Sequence, residues 1–330
     1  MTHIFVSTIL NHTLRSSLSM VMCLTIFAFF SLNTPLVASA ADLPVLGSQG
    51  NIAKVKRFPD ELSELPVSVN TLNRISARSA IVIDAQNDRV LFAKDPDNPR
   101  QPASTIKVLT GTIALKSMTG DESIPVSREA ASRPSSKMYL DPNKEYRADE
   151  LITAVLLASS NDASVALAEM LAGSEEEFAR IMTLQAEHWG ATNTDIKTAT
   201  GLTAKGQTST ARDLALIFRE AMQYPEFVAR IKMRSMKTDE GNTLYNHNKA
   251  LWQIDGTEGG KTGYTNAARQ TYVGQFTRDG NTIIVAVMGS ETMWNDVKFL
   301  VQYGFGQYRY ISPHEAELHS GDETLPQADH

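Results

Sequence analysis

Cysteine is nearly missing from this chain: Cys23 is the only one in 330 residues. It sits inside an N-terminal segment that reads as a removable export signal, so the mature chain is expected to have no disulfide and no thiol nucleophile. Acidic residues are missing from positions 1–40, where Arg15 is the only charge. An apolar run, Leu18 to Leu32, follows it and leads to Ala38-Ser39-Ala40. That small-x-small ending predicts cleavage after Ala40. Losing Arg15 takes the net charge from -6 to -6 - 1 = -7. No later stretch is apolar enough to cross a bilayer, so no transmembrane anchor is expected once the signal is gone. No Lys/Arg-rich run is present either, which excludes nucleic acid as an expected partner. The histidines beyond the signal (His188, His247, His314, His319 and His330) lack zinc-ligand spacing, so neither a metal nor a metallopeptidase is expected. A Gly-x-Ser-x-Gly elbow is also lacking.

What is present has a clear order. Residues 41–74 carry Pro44, Gly47, Gly50, Pro59 and Pro66 and read as a linker or arm. Ser79–Asp84 and Arg89–Lys94 have strand character around the turn Gln86-Asn87-Asp88. Helical periodicity runs from about Ala103 to Met118, Ala148 to Ala158 and Ala163 to Leu171. Ser174-Glu175-Glu176-Glu177 forms a capping box for the next helix, and Thr210 with Asp213 starts another. Strand character returns at Leu244–Leu251, Gly256–Thr265, Gln270–Thr277 and Thr282–Met288, with Arg278-Asp279-Gly280-Asn281 as a hairpin turn. A helix over Thr292–Tyr308 closes the domain, expected to span 75–311. Residues 312–330 read as a disordered acidic tail. Strands at both ends with helices between them predict an α+β fold, one antiparallel sheet built from both chain ends and packed by a helical block.

Three short strings carry the chemistry: Ser104-Thr105-Ile106-Lys107, Ser159-Ser160-Asn161 and Lys261-Thr262-Gly263. On a helix, positions i and i+3 share a face, so Ser104 and Lys107 can touch. A serine hydroxyl needs a base to act as a nucleophile. A lysine qualifies only when neutral, through burial or a nearby cation; Lys261 could be that cation. Ser159 and Asn161 follow an apolar helix. They could relay a proton and orient a peptide carbonyl, or Ser160 or Asn161 could simply cap the next helix. Lys261 and Thr262 lie in a glycine-flanked strand, which suits a substrate carboxylate on a closely approaching peptide; a plain turn is the alternative.

Together these strings resemble the low-molecular-mass penicillin-binding proteins, the serine-type D-alanyl-D-alanine carboxypeptidases. The likeness runs from about Ser79 to Tyr308 and includes Pro102-Ala103 before the first string, Asp162-Ala163 after the second, Thr200-Gly201-Leu202, Ser209-Thr210-Ala211-Arg212-Asp213-Leu214, Asn246-His247-Asn248 and Tyr264-Thr265. The resemblance implies a beta-lactamase/transpeptidase-like fold. It implies Ser104 as nucleophile, Lys107 as base, and Ser159 and Asn161 lining the cleft. Lys261 and Thr262 would hold the terminal carboxylate, and the N–H groups of Ser104 and Tyr264 would form the oxyanion hole. Peptidoglycan peptide stems are the implied substrate and beta-lactams the implied inhibitors, with no cofactor. Arg269 departs from the family, which often has glycine there. The second domain and membrane anchor of many relatives are not expected, so the mature enzyme is expected outside the cytoplasmic membrane and soluble. DD-endopeptidase action on crosslinks is the alternative activity. A class A beta-lactamase would need a Glu-x-x-Leu-Asn-like loop, which the chain lacks between Asn161 and Lys261; a catalytically silent wall-binding protein is the other rival.

Overall fold

A computed structural model describes residues 69–134 and 136–319. The signal expected at 1–40, most of the arm expected at 41–74 and the end of the expected tail lie outside the described residues. Strands β1 (Ser79–Asp84) and β2 (Val90–Lys94) open the domain. A 3-10 turn over Ala103–Ile106 leads into α1 (Lys107–Ser117). The helical block continues with α2 (Ala148–Leu157), α3 (Asn161–Ala172), α4 (Glu175–His188), α5 (Ala211–Ala221) and α6 (Pro225–Ile231). Strands β3 (Thr257–Thr265), β4 (Arg269–Arg278) and β5 (Asn281–Ser290) follow, then α7 (Met293–His319).

The five strands form one antiparallel sheet in the order β2-β1-β5-β4-β3. The N-terminal hairpin therefore completes a sheet begun by the C-terminal meander, as the sequence pattern predicts. Alternation along β5 explains the layers. Ile284, Ala286 and Met288 join the core of the helical block. Ile283, Val285 and Val287 pack on the other face against Met293, Val297, Leu300 and Val301 of α7. Each such buried Val, Ile, Leu or Met side chain contributes about 1.5–3 kcal/mol relative to exposure. β3 is the edge strand beside the 3-10 turn, so the sheet edge and the start of α1 meet.

Caps place the helices where the sequence puts them. Ser174 accepts from Glu177 N–H at 3.1 Å and Thr210 from Asp213 N–H at 3.0 Å. Two expectations change. The strand expected over Leu244–Leu251 is only Thr243–Tyr245, followed by a helical turn, Ala250–Gln253. Asn246 and Asn248 stop it: each side-chain oxygen accepts the backbone N–H two residues on, at 2.8 and 3.1 Å. These local bonds compete with a strand ladder. Secondly, α7 continues to His319, past the boundary expected at Ile311. The sequence also missed α6, which starts on Pro225 at its first position.

Gly201 fixes the approach of the helical block to the nucleophile turn. Its φ is +75°, and a Cβ there would lie 2.0 Å from the Ala103 carbonyl oxygen. Gly241, at φ +87°, has open space around the same position. Gly201→Ala should therefore cost about 2–5 kcal/mol, adding overpacking to left-handed strain, and Gly241→Ala only about 1–2 kcal/mol. Urea unfolding of both variants checks this; equal losses would rule out the packing role.

Candidate active site

A 3-10 turn, not an α-helical first turn, presents Ser104, the expected nucleophile. Three residues per turn eclipse side chains at i and i+3, so Lys107 lies directly against Ser104. Lys107 is fully buried; its Nζ donates to Asn161 Oδ1 at 2.7 Å and the Thr200 carbonyl at 2.5 Å and lies 3.0 Å from Ser104 Oγ, whose hydroxyl can donate to the neutral amine. Burial first, and then the nearby Lys261, push its pKa well below the ordinary lysine range. The amine is thereby favoured in its neutral form, with a lone pair free beside a hydroxyl, as general-base activation requires.

The bonds that hold this lysine begin elsewhere in the chain. Asn161 starts α3, and its amide donates to the Pro134 carbonyl at 2.9 Å. That bond leaves Oδ1 facing Lys107. Thr200 is held through its neighbour Ala199, whose N–H donates to Glu175 Oε1 at 2.9 Å and whose carbonyl accepts from Thr110 at 2.7 Å. Glu175 also pairs with Arg133 at 2.5 Å. Burial raises the Glu175 pKa against these stabilising partners.

A second pair faces the first. Lys261 Nζ donates to Ser159 Oγ at 2.8 Å, with both side chains buried. Burial alone lowers Lys261 to about 7. Ser159 has φ +64° immediately beyond α2, a left-handed conformation that turns the chain into α3. Gly263 lets β3 come against the nucleophile turn: a Cβ there would lie 2.7 Å from the Ser104 nitrogen and 2.5 Å from Thr271 Oγ1. Pro102 carbonyl accepts from Thr271 Oγ1 at 3.0 Å, pinning the turn to β4.

Every residue expected at the site is thus brought together. Ser104, Ser159, Asn161, Thr262, Gly263 and Tyr264 line one cleft of about 420 Å³, with Lys107 and Lys261 buried beside it. Tyr264 stands at its edge, 57% exposed. Sequence reasoning assigned no role to His247, Ser136, Leu202, Gln270, Met293 or Trp294, which complete the lining. His247 lies in a quoted motif, so its position was readable although its role was not. Burial, then Lys261 and Lys107, lower its pKa to about 4, leaving it neutral at pH 7. Thr200 also belonged to a quoted motif, but it contributes its carbonyl, which no side-chain pattern reports. Arg269 pairs with Glu291 (Nε to Oε1 2.9 Å) and is absent from the cleft lining.

A serine hydroxyl hydrogen-bonded to a buried lysine, between an edge strand and a helical block, fits a lysine-activated serine hydrolase of the beta-lactamase/transpeptidase-like fold. Residues 66–292 match the model of the D-alanyl-D-alanine carboxypeptidase family, and the chain belongs to that family. DacB2 of Mycobacterium tuberculosis is 35% identical over 240 residues, covering 69% of this chain and 82% of its own. DacC of Escherichia coli is 31% identical over 255 residues, covering 72% and 64%. The chain thus spans less than two thirds of this longer relative. Among solved structures, a D-alanyl-D-alanine carboxypeptidase from Mycobacterium tuberculosis superposes with a TM-score of 0.68 at 33% identity, covering 74% of this chain and 94% of that one. Penicillin-binding protein D2 from Listeria monocytogenes, in its ampicillin-bound form, gives 0.64 at 27% identity, covering 70% and 98%.

With Lys107 as the expected base and Lys261 as the expected carboxylate partner, the two lowered pKa values predict opposite pH limits. Neutral Lys107 is lost as pH falls through its lowered pKa; protonated Lys261 is lost as pH rises through about 7. The kcat/KM profile should be a bell whose alkaline limb moves up in Lys261→Arg, because arginine keeps its charge. An unmoved limb would remove Lys261 from carboxylate binding. Lys107→Ala should lower the rate of acylation by penicillin about 10²–10⁴-fold with the circular dichroism spectrum unchanged; normal acylation would remove Lys107 as the base.

Proposed function

We infer that the protein is a serine-type D-alanyl-D-alanine carboxypeptidase that removes the terminal D-Ala from peptidoglycan stem peptides through an acyl-enzyme on Ser104. The observation that carries this is the 3.0 Å bond between Ser104 Oγ and a fully buried lysine amine. Lys107 takes the Ser104 proton as Oγ attacks the carbonyl of the penultimate D-Ala. The backbone N–H groups of Ser104 and Tyr264 receive the oxyanion. Lys261 and Thr262 hold the terminal carboxylate, and Asn161 orients the peptide. The C–N bond then breaks while Ser159, hydrogen-bonded to Lys261, passes a proton to the leaving amine and takes back the one Lys107 received from Ser104, which leaves Lys107 neutral again. Water, deprotonated by Lys107, attacks the ester, and the same proton passes to Ser104 Oγ as the shortened stem leaves, restoring the hydroxyl and the neutral lysine.

Beta-lactams would acylate the same serine, as ampicillin and cefotaxime occupy the Listeria relative. Residues 1–40 support export, and no helix among the described residues is long and apolar enough to cross a membrane. The enzyme is placed by this reading in the periplasm or an equivalent extracytoplasmic space.

Mass spectrometry tests the reading with penicillin, a pentapeptide ending in D-Ala-D-Ala and a crosslinked muropeptide. A slowly released penicilloyl adduct on Ser104 and free D-alanine from the pentapeptide are expected, and both should vanish in Ser104→Ala. Split dimer without free D-alanine would move the activity to DD-endopeptidase. Rapid penicillin hydrolysis without peptide cleavage would make it a beta-lactamase, and no adduct would leave a silent wall-binding protein.

A further inference from the structure

Seven non-glycine residues among those described have positive φ: Asp88, Asp95, Ala103, Tyr139, Ser159, Arg269 and Asp279. Asp88, Asp95 and Asp279 lie in turns or loops, where aspartate tolerates this conformation. The other four all lie at or beside the cleft. Ala103 and Ser159 flank or belong to the catalytic machinery. Tyr139 and Arg269 have no part in the mechanism above, yet both are large residues held left-handed (φ +67° and +59°). Such strain persists only where the surroundings impose it, and it clusters at functional sites.

The surroundings do impose it. The loop carrying Tyr139 begins at the cleft-lining Ser136, whose carbonyl accepts from Asn161 N–H at 2.7 Å. The fully buried carboxylate of Asp162 accepts the N–H groups of Met138, Tyr139 and Leu140 at 3.0, 2.8 and 3.2 Å. Tyr139 is nevertheless 74% exposed, its ring over the ammonium of Lys137 at 5.2 Å. A buried acid beside Asn161 thus fixes a lip that presents an aromatic ring to solvent. Across the cleft, Arg269 stands opposite Thr265 in the β3–β4 register, next to the cleft-lining Gln270. Its partner Glu291 is two residues from Met293, which also lines the cleft. The pair is half-exposed, with side chains 40% and 48% accessible.

We propose that Tyr139 and Arg269 are the two rim contacts that set substrate preference, Tyr139 stacking on the stem peptide and Arg269 exchanging Glu291 for a free carboxylate on the side chain preceding D-Ala-D-Ala. This rests on the DD-peptidase reading above. Asp162 is the positioning residue for the Tyr139 lip.

Glycine relieves left-handed strain, which makes the test sharp. Two peptides ending in D-Ala-D-Ala are compared, one with a free side-chain carboxylate before that pair and one with its methyl ester. In Tyr139→Gly, Tm should hold or rise by about 2–4 °C, and KM should rise about three- to tenfold for both peptides at nearly constant kcat. Arg269→Gly should raise KM about tenfold for the carboxylate peptide alone. Glu291→Gln should lower KM for that peptide by weakening the competing partner. Asn variants at 139 and 269, which also tolerate left-handed backbone, repeat the reading if a Gly variant folds poorly. Unchanged KM for both peptides in a folded variant would overturn the role of that residue. Wild-type protein that cleaves neither peptide would instead overturn the DD-peptidase reading itself.

Discussion

The buried amine of Lys107 is the constraint around which the rest is arranged. A lysine in a low-dielectric interior is unfavourable when charged, and when neutral it still needs hydrogen-bond partners. Three partners meet it: a side chain at the start of the helix after residue 160 and the Thr200 carbonyl accept from it, and the Ser104 hydroxyl lies against its lone pair. Segments far apart in sequence must therefore converge within hydrogen-bonding reach before the site exists. The cost of burying the base is also what makes it a base, because desolvation favours its neutral form.

Several otherwise separate features follow from that convergence. Gly201 and Gly263 are small because backbone atoms of the nucleophile turn occupy the space a side chain would need. The carbonyl of Pro102 is bonded to Thr271, so the turn is tied to the sheet as well as to the helices. Lys261 adds a second buried amine that reinforces the low pKa of the first and bonds to Ser159. His247 is kept neutral first by its burial and then by the field of the same two lysines. The site concentrates strain too: Ala103, next to Ser104, and Ser159 itself both hold left-handed backbone. Fixed geometry of this kind is what preorganised catalysis requires.

The fold was legible where local physics decides it. Ser174 and Thr210 announce their helices because capping is a contact across three residues. The Asp279-Gly280 turn announces its hairpin because both residues need positive φ. Leu244–Leu251 misled because its apolar alternation is interrupted by Asn246 and Asn248, whose side chains bond to backbone two residues away. The end of α7 was misplaced because composition marks a polar tail but does not stop a helix. At the site, the serine, lysine and asparagine positions could be read, whereas Thr200 and Asp162 could not be assigned roles. One acts through its carbonyl and the other through three amides on a separate loop.

The sequence by itself determined the reactive groups, their order along the chain, the glycine positions and the family. These are encoded in residue identity and short spacing. Only the tertiary structure decided that Lys107 is buried and bonded on three sides, that Lys261 lies close enough to lower it further, and that Ser159 faces Lys261. It also decided that Tyr139 and Arg269 hold left-handed backbone next to segments that line the cleft. A pKa, a proton path and a cleft depend on distances and dielectric surroundings between residues 50 to 100 and more positions apart. Those distances are set by the packing of the sheet against the helical block.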